Sequence, residues 1–515
     1  METSRESKIG WTSLLIVSLS SFIIALDSTF MNVAITNLVV DLNTTVHVIQ
    51  TIISVYALTM AALMLIGGKM QDVLGKKRAF LIGACIYGTG TVIAALSVNS
   101  TMLLIGWSIL EGVGAALMTP ATASIITGTY TGKDRAFALG IWTAMAGVAA
   151  AIGPLFGGFL TTFFSWRWGF ALELVVIAVI LIFSPKINNF PATMKRSEID
   201  VVGGILSASG LLLIVLGILS LNQPSNWKMT PFLIGGGILF MVLFYIKEKN
   251  MIKEDKKPLT DIRLFKERNF TIGTLTRLIM QMALAGAVFV MPIFLQGVLG
   301  ADAFTTGLVL LPLTVGLLIF SVTSSRLSSH VEPRRLISVG FLVAMAGALI
   351  MRYQFSLNTQ IVDLLPGTFL IGVGLGLSIP LTANLILSSA GEDEQADASG
   401  VMSTGANLGS SMGTAIIGVV LIIGIFTGLS TAVEQNFPNE YSKQDIKDNL
   451  VTWAGKMKTV NIPDLKKDET STAYKIVNST ISKAMQTAFD ATTLLMFLGF
   501  LISLFLRPAP SGRVS

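Results

Sequence analysis

Residues 110–126 read LEGVGAALMTPATASII, and residues 370–386 read LIGVGLGLSIPLTANLI. Leu110, Gly112, Val113, Gly114, Leu117, Pro120, Thr122, Ala123 and Ile126 recur as Leu370, Gly372, Val373, Gly374, Leu377, Pro380, Thr382, Ala383 and Ile386, always 260 positions on. Gly140 and Gly153 return at that spacing as Gly400 and Gly413, while the basic stretch Lys69 to Arg78 returns as Arg326 to Arg335 at a spacing of 257. Shared apolar composition would not hold one register through glycines and prolines. The chain therefore reads as an internal duplication.

Working outward, each copy is built from apolar blocks long enough to cross a hydrocarbon layer of about 30 Å, which takes roughly 20 helical residues. Fourteen such blocks run from near 12–34 to near 486–506, the last two being near 399–428 and 486–506. With 52% of the residues hydrophobic, 13% charged and a mean hydropathy of +0.72, a soluble domain is excluded. Glycine is frequent, at 48 residues, and falls largely inside the blocks, which suits close helix contact in lipid better than barrel strands. The expected fold is an all-α polytopic membrane protein with 14 transmembrane helices. Two pseudo-symmetric six-helix bundles flank two extra helices inserted between them. The boundaries read 1–187 for the first bundle, 188–250 for the inserted pair, 251–268 for a cytoplasmic linker and 269–515 for the second bundle, with a long outer loop at about 429–485. Parallel repeats of this kind place a substrate site between the halves near the bilayer midplane.

Charge sets the orientation. Lys69, Lys76, Lys77, Arg78, Lys133, Arg135, Lys186, Lys195 and Arg196 fall on one side with Arg5 and Lys8, as do Arg326, Arg334, Arg335, Arg507, Arg513 and eight basic residues between 247 and 268. The short loops opposite offer Arg167 and Lys228. The positive-inside rule then makes both termini cytoplasmic in a multi-pass cell-membrane protein. The net charge of +6 follows from that placement and is no sign of nucleic-acid binding. The first block contains Asp27 and shows no cleavage site, so it reads as a retained helix. Cys85 is the one cysteine, which excludes an intramolecular disulfide and leaves packing as its expected role.

Several short motifs appear in order: Leu26-Asp27-Ser28-Thr29 with Asn32-Val33-Ala34, Gly68 to Arg78, Gly153-Pro154-Leu155-Phe156-Gly157-Gly158, then Leu264-Phe265, Phe270 and Leu295-Gln296. Together they resemble the major facilitator superfamily, and within it the fourteen-helix drug:proton antiporters that include quaternary-ammonium efflux pumps. The likeness covers nearly the whole chain. It implies multidrug export powered by a proton gradient, with no cofactor. Physically, Gly68 and Gly75 permit a tight turn, Asp72 can pair with a basic side chain to latch a gate, and Lys76, Lys77 and Arg78 can anchor at anionic lipid. The alternative for this loop is a solvated turn. In the second copy Ser329 replaces Asp72 and Glu332 replaces Gly75, so the latch is expected in the first copy alone. Gly153, Pro154, Gly157 and Gly158 remove bulk and one backbone donor from the fifth helix, which suits a hinge or simply close packing.

Ionisable residues inside membrane helices are functional candidates, because burying them costs roughly 2.5–3.5 kcal/mol on insertion scales. Asp27 can either take and release a proton or stand in a structural ion pair. Glu111 has Ser108 one turn before it, so both can line one face. Glu173 faces either the cavity or an outer water layer. Where the resembling family carries an arginine in its fourth helix this chain has Ser108, and Glu111 stands where glutamine is common. Arg277, with Gln281 one turn on, either supplies the missing positive partner or snorkels to the interface. An acidic cavity with Trp142 beside it suits a lipophilic cation as small-molecule substrate, with protons as the counter-ion.

A facilitator or symporter for a natural metabolite would share the fold. A polytopic membrane enzyme lacks support: His47 and His330 are the only histidines, and there is no metal cluster, Walker loop or nucleophile motif. A receptor reading fares no better, since the 429–485 segment has no cysteine and no repeat.

Overall fold

Backbone groups in hydrocarbon find no water to bond, so an apolar run satisfies its own N–H and C=O groups as helix. The computed structural model describes residues 11–130, 132–195, 198–221, 226–328, 330–391, 394–437 and 469–507, and every regular element among them is helical. Arg5, Lys8, Arg196, Ser329 and Arg513 lie outside the described residues, as does 438–468 in the expected outer loop.

The first six long helices are α1 (Trp11–Val33), α2 (Val46–Leu74), α3 (Lys76–Ala95), α4 (Ser100–Thr129), α5 (Gly132–Phe163) and α6 (Arg167–Phe183). Two more, α7 (Val201–Ser220) and α8 (Thr230–Lys253), precede the last six. These are α9 (Arg268–Gly297), α10 (Ala303–Leu327), α11 (Pro333–Arg352), α12 (Ile361–Ser388), α13 (Gln395–Asn436) and α14 (Thr472–Ser503). Thirteen are individually long and apolar enough to cross a membrane, and α5, bent by 41° between Ala150 and Ile152, makes fourteen when counted as one span. Pro154 explains the bend, because it has no N–H for the carbonyl of Ala150 one turn back. Polar caps mark where spans begin: Thr45, Asn99, Asp302 and Ser471 each accept a bond from the backbone N–H three residues on.

Packing repeats the duplication. In the first half α1 packs on α5, α2 on α4, and α3 on both α4 and α6. In the second half α9 packs on α13, α10 on α12, and α11 on both α12 and α14. The halves meet along two seams, α2 with α13 and α5 with α10, which the repeat makes equivalent. Each seam carries polar stitches: Gln50 Nε2 donates to the Thr414 carbonyl at 2.9 Å, Ser411 Oγ to the Ser54 carbonyl at 2.7 Å, and the Phe304 N–H to Thr162 Oγ1 at 3.0 Å. The inserted α7 lies over the α2–α13 seam, where Leu211, Val215 and Leu219 bury against Leu58 and Ala415, and α8 packs outside α7.

Two details differ from expectation. Helices α13 and α14 take residues 429–436 and 472–485 out of the expected outer loop. Cys85 is exposed on α3, so it does not pack in the core.

Candidate functional site

Three acids from three helices of the first half converge because α3 and α4 approach almost backbone to backbone. A Cβ on Gly106 would stand 2.6 Å from the Ala94 nitrogen, and one on Gly90 would stand 2.8 Å from the Glu111 nitrogen and 2.9 Å from its Cγ. Opposite Gly90, α4 widens into a π-helical segment, Leu104–Glu111, which contains Gly106. Such a turn re-aims side chains, and here it lays Glu111 over Gly90 with neither carboxyl oxygen hydrogen-bonded. From α6, Glu173 Oε2 accepts from the Tyr87 hydroxyl at 3.1 Å, and Oε1 has no partner. From α1, Asp27 Oδ2 accepts from Trp107 Nε1 at 2.8 Å, and Oδ1 has no partner. All three residues are completely buried, and one oxygen from each lies within 4.8 Å of the others. Glu173 therefore does not face an outer water layer. Ser108 does not share a lining face with Glu111, since its hydroxyl donates to the Ile52 carbonyl of α2 at 2.7 Å. No ion pair reaches the three acids among the described residues.

Trp107, which the sequence did not mark, separates this cluster from the space between the halves. Its ring stacks on Tyr56 with centroids 5.2 Å apart, and both rings line a cavity of about 180 Å³ that also takes in Ser28, Asn32, Gln281 and Asn407. The polar lining is hydroxyl and amide, with no carboxylate. The expected acidic cavity is thus corrected: Asp27 points into its own bundle while its neighbours Ser28 and Thr29 face the cavity. A second cavity of about 220 Å³ shares Ser28 and Asn407 and continues toward the 69–78 loop, lined by Arg277, Ser21, Trp142 and Ser403. Arg277 Nη1 donates to the Ile379 carbonyl at 3.1 Å, and Nε has no acceptor. It neither snorkels nor pairs with Asp27 or Glu111. Trp142 Nε1 donates to Ser21 Oγ.

At the loop, Gly75 has φ +86°, a conformation that favours glycine, and a Cβ there would meet the Phe190 carbonyl oxygen at 2.6 Å. Gly68 has open space. The Asp72 carbonyl accepts from the Thr193 and Met194 N–H groups at 2.7 and 2.9 Å, fastening the loop to the segment before α7. Among the described residues an ion pair joins the halves, Lys69 with Asp397 at 3.0 Å, and Asp397 also accepts from the Asp261 N–H. Lys76 and Lys77 donate to the carbonyls of Ser124 and Ile187 and so are engaged by protein, while Arg78 is exposed. In the second copy Glu332 pairs locally with Arg335. Gly153 packs on Leu26 and Thr29, Gly157 on Phe30, and Gly158 on the backbone of Ala303 and Phe304 across the α5–α10 seam, beside Pro154.

A family model for the major facilitator superfamily matches residues 17–245 and 199–414. The chain belongs to the major facilitator superfamily. It is therefore a secondary transporter and not an enzyme. It is 27% identical over 423 residues to the methylenomycin A resistance protein of Bacillus subtilis (strain 168), covering 81% of this chain and 88% of that one. It is 28% identical over 419 residues to the multidrug efflux pump LfrA of Mycolicibacterium smegmatis, covering 81% and 82%. A crystal structure of the peptide transporter POT in complex with sulfate shares the fold, with a TM-score of 0.62 at 14% identity over 96% of this chain and 94% of that one.

Proposed function

We propose that this transporter exports small amphipathic compounds, drugs among them, in exchange for protons carried by Asp27, Glu111 and Glu173. The carrying observation is the cluster: three buried carboxyls, close together, with no cation beside them among the described residues. Three like charges in a low-dielectric interior cannot all ionise at this spacing, so the cluster exchanges protons rather than standing as fixed charge. Trp107 links it to cargo, since one ring edge bonds Asp27 and the ring lines the cavity. Cargo that displaces the ring removes the Asp27 bond, and protonation of Asp27 weakens it from the other side by turning a charged acceptor into a neutral one. That is a coupling between two ligands through one two-state side chain.

Support for export comes from the resistance and efflux relatives and from the Gly153 to Gly158 motif. Both chain ends are placed in the cytoplasm, on the basic loops, and the protein in the cell membrane. Residues 1–187 and 269–515 act as the moving halves, and 188–250 clamps one seam. Lys69 with Asp397 latches the cytoplasmic end, and Gly158 against Ala303 gives the halves a smooth seam for rocking. The Trp107, Tyr56 and Trp142 faces offer an aromatic surface to an apolar or planar cargo body, so ethidium serves as a general efflux probe.

The test is ethidium efflux from energised cells for the wild type and Asp27→Asn, with and without a protonophore. Loss under both treatments is expected. Efflux by Asp27→Asn that stays protonophore-sensitive would remove Asp27 from the coupling, and absence of wild-type efflux despite membrane insertion would favour a metabolite carrier.

A further inference from the structure

Among the described residues, the lining of the two cavities between the halves carries one formal charge, and it is positive. Arg277 stands on α9 at the wall of the lower cavity, with Nε aimed at no acceptor and one bond to the Ile379 carbonyl. A guanidinium presents five donors in a planar fork matched to carboxylate, and leaving those donors unmet in a dry site is costly. No carboxylate of the chain meets it among the described residues: the three membrane acids lie behind Trp107, and Asp397 is held by Lys69 and the Asp261 N–H. Around it the wall offers Ser21, Ser28, Ser403 and Asn407, neutral groups that can complete a hydrogen-bonding shell, and the Trp142 ring supplies an apolar flank. Above, sharing Ser28 and Asn407, the cavity lined by Leu284, Val288, Leu310 and Leu313 accommodates an apolar body.

We propose that Arg277 receives the acidic group of the exported compound, so that the preferred cargo is a small amphipathic carboxylate rather than a lipophilic cation. The acid sits at Arg277 and the apolar part extends toward Trp107. This rests on the export reading above, and it makes the cargo site and the proton site opposite in charge as well as separate in space.

Three probes with one skeleton test it: pyrenebutyrate, its methyl ester and the pyrenebutyl trimethylammonium ion. Binding to the purified full-length transporter is read by energy transfer from tryptophan to pyrene, since Trp107 and Trp142 line the cavities. The acid is expected to bind about tenfold or more tighter than the cation. Arg277→Gln should weaken the acid by roughly ten- to a hundredfold, the range for losing a charged hydrogen bond, and leave the ester unchanged. Arg277→Lys should keep the preference of acid over ester in part. A wild type that binds the cation more tightly than the acid overturns the proposal whatever the variants do. So does an Arg277→Gln protein that binds acid and ester as the wild type does. If Arg277→Gln loses the ester too, the wild-type order of acid and cation decides. A protein that binds the acid yet shows no protonophore-sensitive efflux sinks the export reading and leaves this one standing. Proton-driven ethidium efflux with no acid binding does the reverse.

Discussion

The two halves share one packing scheme and carry opposite chemistry. Gly90 presses on Glu111 in the first half as Gly347 presses on Ile371 in the second, at equivalent places in the repeat. Gly153 packs on Leu26 as Gly413 packs on Met282. Counting along α1 and α9 from that pair, Asp27 corresponds to Ala283, and Ser21 corresponds to Arg277. The first half thus buries carboxyls where the second buries aliphatic side chains, and the second places a cation where the first has a hydroxyl. Backbone contact was retained through the duplication, because close helix approach in lipid depends on small residues. Side chains that touch neither seam were free to diverge, and the proposed proton and cargo sites lie in that divergence.

The comparison breaks most decisively at Asp27. Asp27→Asn keeps the shape and the Trp107 bond, so binding of cargo to the purified protein should survive while gradient-driven efflux is lost; efflux at wild-type rate would show that the first-half acids are structural. Next in size is the electrical signature. If one proton enters for each carboxylate expelled, two charges cross per cycle, and an inside-negative potential of 100 mV contributes about 4.6 kcal/mol. Efflux of pyrenebutyrate from proteoliposomes should then respond to an imposed potassium diffusion potential at fixed pH, whereas a cation exchanged for one proton would not respond.

Making the halves alike is expected to cost stability. Ile371→Glu places a carboxyl in the second half without Tyr87, Trp107 or neighbouring acids to share a proton, and should destabilise by about 3 kcal/mol, read as a lowered thermal midpoint in detergent. Gly90→Ala and Gly347→Ala both force apart a pair of close helices and should cost about 1–3 kcal/mol each by the same assay. They separate in transport: only Gly90→Ala moves a side chain of the proposed proton cluster, so only it should alter the pH dependence of efflux. The smallest effect is expected at the loop. Lys69→Ala removes a partly exposed ion pair contributing up to about 1 kcal/mol, changing efflux a few-fold, and the exchanged pair Lys69→Asp with Asp397→Lys should restore it.

Much of the fold was legible because it is written in period and repetition. Membrane spans follow from runs of apolar residues, and the halves follow from a register of glycine and proline that helix packing requires. Asp27, Glu111 and Glu173 were legible as candidates too, because charge inside an apolar run is costly anywhere. Their meeting was not legible. It depends on a π-helical turn in α4, on the depth to which Gly90 and Gly106 let two helices sink together, and on Trp107, an aromatic residue among many. Nor could the direction of Arg277 be read, since position along α9 is compatible with the lipid interface, a counter-charge role or a cavity wall.

By itself, then, the sequence determined the span count, the duplication, the superfamily resemblance and Asp27, Glu111 and Glu173 as acids inside apolar runs. These rest on local composition and on spacing along one chain. Only the tertiary structure decided which acids share a site, that Trp107 walls them from the cavity, and that Arg277 lines the cavity as its one charged group among the described residues. Those facts depend on how separate helices rotate and approach, and rotation is settled by side-chain contacts across helices that lie far apart in the chain.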